Sequence, residues 1–516
     1  MTEVTIRYGR IKGDSPHLCA APSGPFRQMG TVPFYSLALA ALLALVAGTA
    51  PAQEPAGPDP ALENALVQSI AGAEKSVVAI ARVHREQPGD SVRLEFRPDL
   101  FGSQVTPTDP NFIPNEYGTG VIVDSRGLIL TAAHVLGDEN DSYYITTSER
   151  RVYRAWIKAS DPRSDLAVLG IDGSDRDDAS AAKLNLTPIR LGNAASLRKG
   201  QIVVTLGNPY AIARDGQASA GWGIVSNLGR KTPPAREADP GSEPLLQRYG
   251  GLIQTDARLH LGASGGPLLN LKGEMVGLCV STVAMAGFES PAGYAIPVDD
   301  MFRRVLDVLK QGREAEYGYL GIHPYNLKPA QAAQLHDRDL QGIQIRIEPY
   351  SPAAQAKLRD DDIITTVNGR PIYEPDGLVL EVGRLPVESV VKLGVFRDDK
   401  VQTIDVVLSK FPVRGRKIVT VRADAWRGMR VDYASAFLEA DQPLRLTDEA
   451  VVVMDVDPNT PAAQSGVKKG MLISQVDGRA VRTPRDFQAA IAEKSGAVQL
   501  KLVVSDPSSS LLVVPP

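Results

Sequence analysis

A mainly β protein is predicted, in which a strand-rich domain of barrel or sandwich type is followed by two copies of one smaller module. Three observations carry that prediction. From about Ser76 to Pro297 the chain alternates short β-type runs with turn signals. Beyond Gly312 it repeats itself. Between the two regions lies one amphipathic helical pattern.

The strand-rich region contains "SVVAIARV", "GTGVIVDSRGLILTAA", "RVYRAWIKA", "DLAVLGI", "QIVVTLGNP", "GWGIVSNLG" and "GEMVGLCVS". So many short β-branched runs in succession suit a barrel or a sandwich. The helical pattern "VDDMFRRVLDVLKQ" closes the region and sets Met301, Val305, Val308 and Leu309 on one face. The stretches from Gln87 to Asn115 and from Lys231 to Gly250 read as loops, rich in Pro, Gly and charge.

The repeat is the clearest organisational signal. "SPAAQAKLRDDDIITTVNGRPI" from Ser351 aligns with "TPAAQSGVKKGMLISQVDGRAV" from Thr460, 109 positions later, sharing Pro-Ala-Ala-Gln, a valine and Gly-Arg. Two copies are too few for a solenoid, so each module must bury a core of its own.

Composition bounds the partners. The 516 residues leave room for roughly three domains at ~100–200 residues each. A net charge of −4 without a basic block gives no phosphate-tracking surface, so nucleic acid is not an expected partner. At the N-terminus the uncharged run "FYSLALAALLALVA", Phe34 to Ala47, is short for a span of ~20 residues and precedes small residues at Ala50 and Ala52. It reads as an export signal cleaved after Ala52, with Met29 as an alternative start and an uncleaved membrane anchor as the competing reading. Of the two cysteines, Cys19 leaves with the signal, and Cys279 in "MVGLCVSTV" reads as a small core residue. The expected boundaries are a signal at 1–52, a linker at 53–74, a catalytic domain at 75–312 and modules at 313–413 and 418–510.

Three stretches have the residues for nucleophilic catalysis. "LILTAAHVLGD" places His134 after an apolar strand, "SDPRSDLAVLG" places Asp165 at the mouth of another, and "LGASGGP" presents Ser264 among glycines. A serine hydroxyl attacks only when a neighbouring imidazole takes its proton, and a carboxylate fixes that imidazole's tautomer. Glycines at 262, 265 and 266 allow a sharp turn in which the amides of Gly262 and Ser264 converge on an oxyanion. Each element alone has an ordinary structural explanation; the order His, Asp, Ser, each at a strand end, gives the constellation its weight. His84, in a strand-like run, and His260, in the loop before Ser264, lack the setting of His134. "GASGG" also fits the nucleophile elbow of α/β-hydrolases, but that fold needs a helix after the serine and the order Ser, acid, His. Pro267 and a hairpin-like segment follow instead. No H-E-x-x-H, C-x-x-C or phosphate-loop pattern occurs, so neither metal nor nucleotide chemistry is expected.

Together "TAAHVL", "SDLAVL", "LGNPY", "GIVSNLGR", "IQTDA", "GASGGPLLNLKGEMVGL" and "GYAIPVDD" resemble the HtrA-type, trypsin-like serine proteases with C-terminal PDZ domains. The resemblance implies a chymotrypsin-like double β-barrel followed by two PDZ domains of α+β type. It makes His134 the general base, Asp165 its orienting partner and Ser264 the nucleophile. Ala263 stands where the family usually has asparagine, and "LHL" replaces the usual Asn-Pro-like approach to the glycine. In the first module "YGYLGIHP" looks like a carboxylate-binding loop, which would use Tyr319, Leu320, Gly321 and Ile322; the alternative is the start of an ordinary strand. "WRGMRVDY" is a looser counterpart in the second module, where Arg430 is either part of a carboxylate site or surface charge.

The resemblance implies an exported endopeptidase degrading unfolded or damaged proteins, with PDZ domains that bind peptide C-termini. It also implies homo-oligomers, often trimers built through the protease domain, and no cofactor. A catalytically idle chaperone or peptide-binding protein that retains the fold is the rival reading. Six positions before Ser264, where trypsin-type selection of Lys or Arg uses an acid, stands Arg258; with the apolar stretch Cys279 to Gly287 opposite, cleavage after Val, Ala or Leu is expected. The stretch from Gly229 to Gly251 lies where the family's sensor loop would be; a passive surface loop is the alternative.

Overall fold

The structure, a computed structural model, describes residues 60–83, 116–137, 141–171, 184–208, 216–230, 251–260, 262–280, 293–336, 340–439, 442–443, 450–503 and 511–516. The export signal, His84 and most of the expected sensor loop lie outside these residues. Among the described residues no helix is long and apolar enough to cross a membrane.

Residues 53–74, expected as a linker, contain a helix from Pro60 to Ala73 (α1). Leu66 and Ile70 pack inward, Ala73 is buried, and the Ser69 hydroxyl donates to the Asn270 carbonyl at 2.9 Å. The spacing of Leu66, Ser69, Ile70 and Ala73 follows one helical face. The Pro-rich composition just upstream masks that pattern.

Six strands follow: β1 (Val77–Val83), β2 (Glu116–Asp124), β3 (Leu128–Ala132), β4 (Ser142–Thr147), β5 (Val152–Asp161) and β6 (Leu166–Ile171). They pair antiparallel in the order β5-β4-β1-β2-β3-β6, and β5 also pairs with β6, which closes a barrel. In β4 the buried Tyr143, Ile145 and Thr147 alternate with partly exposed neighbours, the period of a strand with one face inward. A second closed barrel comprises β7 (Ile202–Gly207), β8 (Ser219–Arg230), β9 (Leu252–Thr255), β10 (Pro267–Leu269), β11 (Met275–Val280) and β12 (Gly293–Pro297). A continuous apolar cluster joins Val121 and Leu130 of the first barrel to Val204, Leu206 and Leu269 of the second. This seam positions the catalytic candidates.

The helix α2 (Asp300–Lys310) begins at Asp299, whose carboxylate caps it by accepting from the Phe302 amide at 2.9 Å. Its buried residues are Phe302, Val305, Leu306 and Leu309, whereas Met301 and Val308 are only partly covered. The inward stripe is therefore turned from the expected one, because the larger Phe302 and Leu306 occupy the interior.

The first module is built from β13 (Gly318–Tyr319), β14 (Ile322–Tyr325), β15 (Ile343–Ile347), β16 (Ile363–Val367), β17 (Arg370–Pro371), β18 (Val390–Arg397), β19 (Lys400–Val407) and β20 (Ser409–Lys410). Its helices are α3 (Pro329–His336), α4 (Pro352–Gln355) and α5 (Pro375–Gly383). The main sheet runs β14-β15-β16-β18-β19, so β14 is an edge strand, and α5 packs beside it. The second module repeats the plan: Pro461–Gln464, Leu472–Val476 and Arg479–Ala480 stand where Pro352–Gln355, Ile363–Val367 and Arg370–Pro371 stand in the first. Ser351 and Thr460 cap the equivalent helices, accepting from the amides of Ala354 and Ala463. Each module has its own apolar core. The mainly β architecture is thus the double barrel followed by two PDZ domains.

Ile418 and Val419, expected at the start of the second module, form a strand (β21) that pairs with Ser160 and Ala159 of β5. The second module's own first strand is Met429–Tyr433. Between the modules, the buried Lys410 ammonium meets Asp432 at 2.6 Å, Glu316 at 3.0 Å and Glu314 at 3.2 Å.

Candidate active site

The pairing of β3 with β6 sets Ala132 opposite Leu166. His134 follows the first of these ends in a short 3-10 turn, and Asp165 immediately precedes the second. Two paired strand ends thus deliver the two side chains to one place. The Ala133 amide donates to the Asp165 carbonyl at 2.8 Å and the His134 amide to Asp165 Oδ1 at 2.9 Å. His134 Nδ1 lies 2.7 Å from Asp165 Oδ2. Asp165 is fully buried and adopts φ 48°, a left-handed conformation that aspartate tolerates better than most residues. Burial disfavours the imidazolium, but the charge and hydrogen bond of Asp165 outweigh it and hold the His134 pKa above its ordinary value. His134 Nε2 is buried and makes no hydrogen bond. An imidazole with Nδ1 on a carboxylate and Nε2 uncommitted suits a general base.

The turn that carries Asp165 is itself held. Asp161 accepts from the Ser164 amide at 2.8 Å and from the Tyr317 hydroxyl, and burial pushes its carboxyl up to about 6.

Ser264 is buried in a loop of close backbone approaches. A Cβ at Gly262 would lie 2.4 Å from the Asn208 carbonyl oxygen, one at Gly265 would lie 2.2 Å from that of Thr119, and one at Gly266 would lie 2.3 Å from that of Leu206. Gly262 and Gly265 also have φ of 90° and 85°. Backbone bonds fix the loop: Ala263 N to His260 O at 3.0 Å, Gly266 N to Ala263 O at 3.0 Å, Gly265 N to Cys279 O at 2.9 Å and Thr119 N to Ser264 O at 2.9 Å. Cys279 is a buried strand residue whose thiol burial pushes up to about 12, an inert core residue as expected. Thr119, which sequence reasoning did not single out, donates from its hydroxyl to the Gly262 carbonyl at 2.6 Å. A threonine within an apolar strand carries no local signature, because its partner is 143 positions away.

Behind this loop lies a cavity of about 450 Å³ lined by residues including Thr205, Trp222, Asp256, Arg258, His260 and Ala263. Arg258 is exposed, and Asp256 accepts from the Ile224 amide at 2.7 Å. Of the apolar wall expected opposite, Cys279 and Val280 are buried, and 281–287 lie outside the described residues. Among the described residues no group of three or more His, Cys, Asp or Glu is arranged to hold a metal.

In the first module Tyr319 and Leu320 are buried, Gly321 has φ 72°, and Ile322 opens the edge strand β14. The Leu320 carbonyl accepts from the Ala353 amide, and that of Gly321 from the Glu348 amide, both at 3.0 Å. The Tyr319 hydroxyl donates to Glu348. In the second module Arg427 occupies the place of Leu320, and its guanidinium donates to the carbonyls of Val514 at 2.6 Å and Gly496 at 2.5 Å. Arg430 is half-buried and pairs with Asp457 at 2.8 Å.

The trypsin-like peptidase domain family matches residues 118–278, and the PDZ domain family matches 318–408 and 439–505. The chain is 30% identical over 401 residues to the periplasmic serine endoprotease DegP of Salmonella typhimurium, covering 77% of this chain and 76% of that protein. Identity and coverage are the same with DegP of Escherichia coli. A probable periplasmic serine endoprotease, DegP-like, of Brucella suis is 30% identical over 403 residues, covering 77% and 72%. Among solved structures, an HtrA-type protease AlgW with decapeptide is 23% identical, with a TM-score of 0.48 over 67% of this chain and 99% of that one.

Proposed function

The chain belongs to the HtrA family of serine endoproteases that includes DegP, and from that premise we propose that Ser264, His134 and Asp165 form its catalytic triad. The protein is a serine endopeptidase. The observation that carries the assignment is the double hold of Asp165 on His134, at both the backbone amide and Nδ1. His134 Nε2 takes the Ser264 proton as Oγ bonds to the scissile carbonyl carbon. The amides of Gly262 and Ser264 receive the developing oxyanion. Nε2 then delivers the proton to the leaving amine as the C–N bond breaks, and water cleaves the acyl-enzyme by the same route. Asp165 stays ionised and steadies the imidazolium.

Unfolded or damaged proteins are the proposed substrates, and the loop Tyr319 to Ile322 of the first PDZ domain is the proposed seat of peptide C-termini. The periplasmic relatives support an exported, periplasmic protein. Homo-oligomers are proposed on the family resemblance. The test is labelling of the full chain by a fluorophosphonate, with cleavage of an unfolded model protein. Wild type incorporates the label and Ser264→Ala does not; normal turnover by Ser264→Ala would overturn the assignment.

A further inference from the structure

We propose that Pro324 shortens the peptide seat of the first PDZ domain: a strand added to β14 is bonded in full only at its last residue, and the carbonyl of its third-last residue meets no donor. The inference rests on the reading of Tyr319 to Ile322 as the seat of a terminal carboxylate. β14 ends its sheet, and among the described residues no strand pairs with its outer edge. An extended peptide docks on such an edge through the backbone groups that point outward. The register with β15 decides which residues of β14 offer them.

The pairs are Ile322 with Ile347, His323 with Arg346, Pro324 with Ile345 and Tyr325 with Gln344. In an antiparallel ladder, residues that bond across the pair alternate with residues whose amide and carbonyl face away from it. One step before Ile322, the Gly321 carbonyl accepts from the Glu348 amide at 3.0 Å, so that pair is a bonded one. Ile322 and Pro324 are then the outward residues. Their partners on β15 agree. The Ile347 amide donates to Asp360 Oδ1 at 2.8 Å. The Ile345 amide donates to the Asp362 carbonyl at 3.0 Å, and the Ile345 carbonyl accepts from the Asp361 amide at 2.9 Å, both on the side away from β14. Ile322 therefore presents an amide and a carbonyl to a ligand. Pro324, at the next outward place, presents a carbonyl alone, because proline has no N–H. A ligand's last residue can exchange two bonds with Ile322, whereas its third-last residue can donate to the Pro324 carbonyl and receives nothing back.

The second module keeps the donor that the first lacks. Its Asp457 amide donates to the Gly428 carbonyl at 2.7 Å, as Glu348 does to Gly321. Two places after Met429 stands Val431, paired with Val453. The Val453 amide donates to the Met471 carbonyl and its carbonyl accepts from the Gly470 amide, both at 2.8 Å, so Val431 faces outward with its own amide. In the first domain the result is a site selective at the chain end and tolerant upstream, suited to apolar termini of diverse sequence. Proline on an edge strand also keeps other sheets from pairing with it, but that role is indifferent to the chemistry of one ligand carbonyl.

The test uses the full chain carrying Ser264→Ala, so that the peptide is not consumed, and calorimetric titration with an acetylated hexapeptide ending in Ala-Ala-Val. Pro324→Val restores an amide and is expected to tighten binding by roughly three- to ten-fold, the net worth of one hydrogen bond. Pro324→Ala, which restores the same amide with a smaller side chain, should do likewise and serves if valine perturbs the strand. A second peptide has an ester in place of the amide between its third-last and second-last residues, which weakens the third-last carbonyl as an acceptor. The parent should bind both peptides within about two-fold, and the Pro324 variants should lose most of their gain on the ester. Unchanged affinity in both variants overturns the inference, as does a gain that the ester retains or a parent that discriminates against the ester. Gly321→Ala in the same series separates the two levels. Binding unaffected by Gly321→Ala removes the seat itself and the inference with it; binding lost in Gly321→Ala beside Pro324 variants that match the parent removes only the role of Pro324.

Discussion

The Arg163 guanidinium lies 3.7 Å from the ring centre of Phe411 and 4.8 Å from that of Tyr317. Arg163 is two residues before Asp165, while Tyr317 and Phe411 flank the first PDZ domain, where the Phe411 amide bonds to the Tyr317 carbonyl at 2.8 Å. A Cβ at Gly383, the last residue of α5, would fall 2.5 Å from Arg163 Nη2. The turn that carries Asp165 is therefore packed against α5, the helix beside the edge strand β14.

Removing that stack is expected to loosen the turn. Arg163→Ala should cost about 1–2 kcal/mol, the range of partly desolvated cation–π contacts, read as a lower denaturant midpoint of the catalytic domain. Its kcat should fall with little change in KM, since substrate contacts are unaltered. Lysine, which lacks the planar stacking surface, should restore little of either. An unchanged midpoint and kcat would show the stack to be inconsequential.

Activity should rise with pH as His134 loses its proton, with a midpoint above the usual value of about 6.5 because Asp165 holds the imidazolium. Asp165→Asn should lower that midpoint. It should also reduce kcat by roughly 10³- to 10⁴-fold, because an amide nitrogen facing Nδ1 selects the wrong tautomer. The same raised pKa makes a stabilising contribution that is complete below the unfolded value and lost as pH rises through the folded one. Kinetics against pH for both proteins provide the check.

Asp161 gives a second pH signature, in stability. Burial pushes its carboxyl up to about 6, above the unfolded value near 3.8, so its contribution is complete below the unfolded value and is lost as pH rises through about 6. Asp161→Asn should flatten the stability profile between those limits. Tyr317→Phe, which removes a donor to the carboxylate, should move the loss to higher pH. Denaturant titrations at a series of pH values test both; a profile unchanged in Asp161→Asn would refute the assignment.

The sequence reveals those features that are local. His134 and Asp165 stand at strand ends, and the pairing of Ala132 with Leu166 is what makes those ends one site. The module repeat survives as matched helices and strands because Ser351 and Thr460 cap each copy in the same way. What escaped the sequence is long-range. The pairing of Ile418 and Val419 with β5 joins residues whose separation along the chain exceeds the length of a PDZ domain, and nothing in "KIVTV" names its partner. Thr119 escaped for the same reason. The helix α1 was hidden by composition, since prolines just upstream suggested a linker.

Specificity follows from what lines the region near Arg258. Arg258, an exposed cation, stands six positions before Ser264 where an acid would select a basic side chain, and the neighbouring Asp256 gives one carboxylate oxygen to the Ile224 amide. Cleavage after Val, Ala or Leu is expected. Cut sites mapped by mass spectrometry on an unfolded substrate and lying mostly after Lys or Arg would refute it.

The two PDZ domains should differ in their use of a terminal carboxylate. Gly321 approaches Ser351 so closely that a Cβ would lie 2.1 Å from the serine's own, and its φ of 72° is one that alanine resists. Gly321→Ala should therefore distort the carboxylate loop and abolish peptide binding at the first domain. With the loop intact, amidating a peptide's C-terminus removes the anion and leaves its donors without a partner. The expected loss is about 1–3 kcal/mol, or roughly five- to a hundred-fold in affinity. In the second domain the place of Leu320 is taken by Arg427, whose guanidinium is occupied by the Val514 and Gly496 carbonyls. Binding there should depend little on the terminal charge. A route to the protease is on hand, since a Cβ at Gly251, the last residue of the expected sensor loop, would lie 3.4 Å from Arg384 and 3.5 Å from Leu380 of the first domain. Free-acid and amidated forms of one apolar-ended peptide, titrated while binding and reporter cleavage are followed, separate the two steps. Equal affinities would remove the carboxylate site; a binding preference without a change in cleavage rate would leave the domain as a tether and remove the coupling.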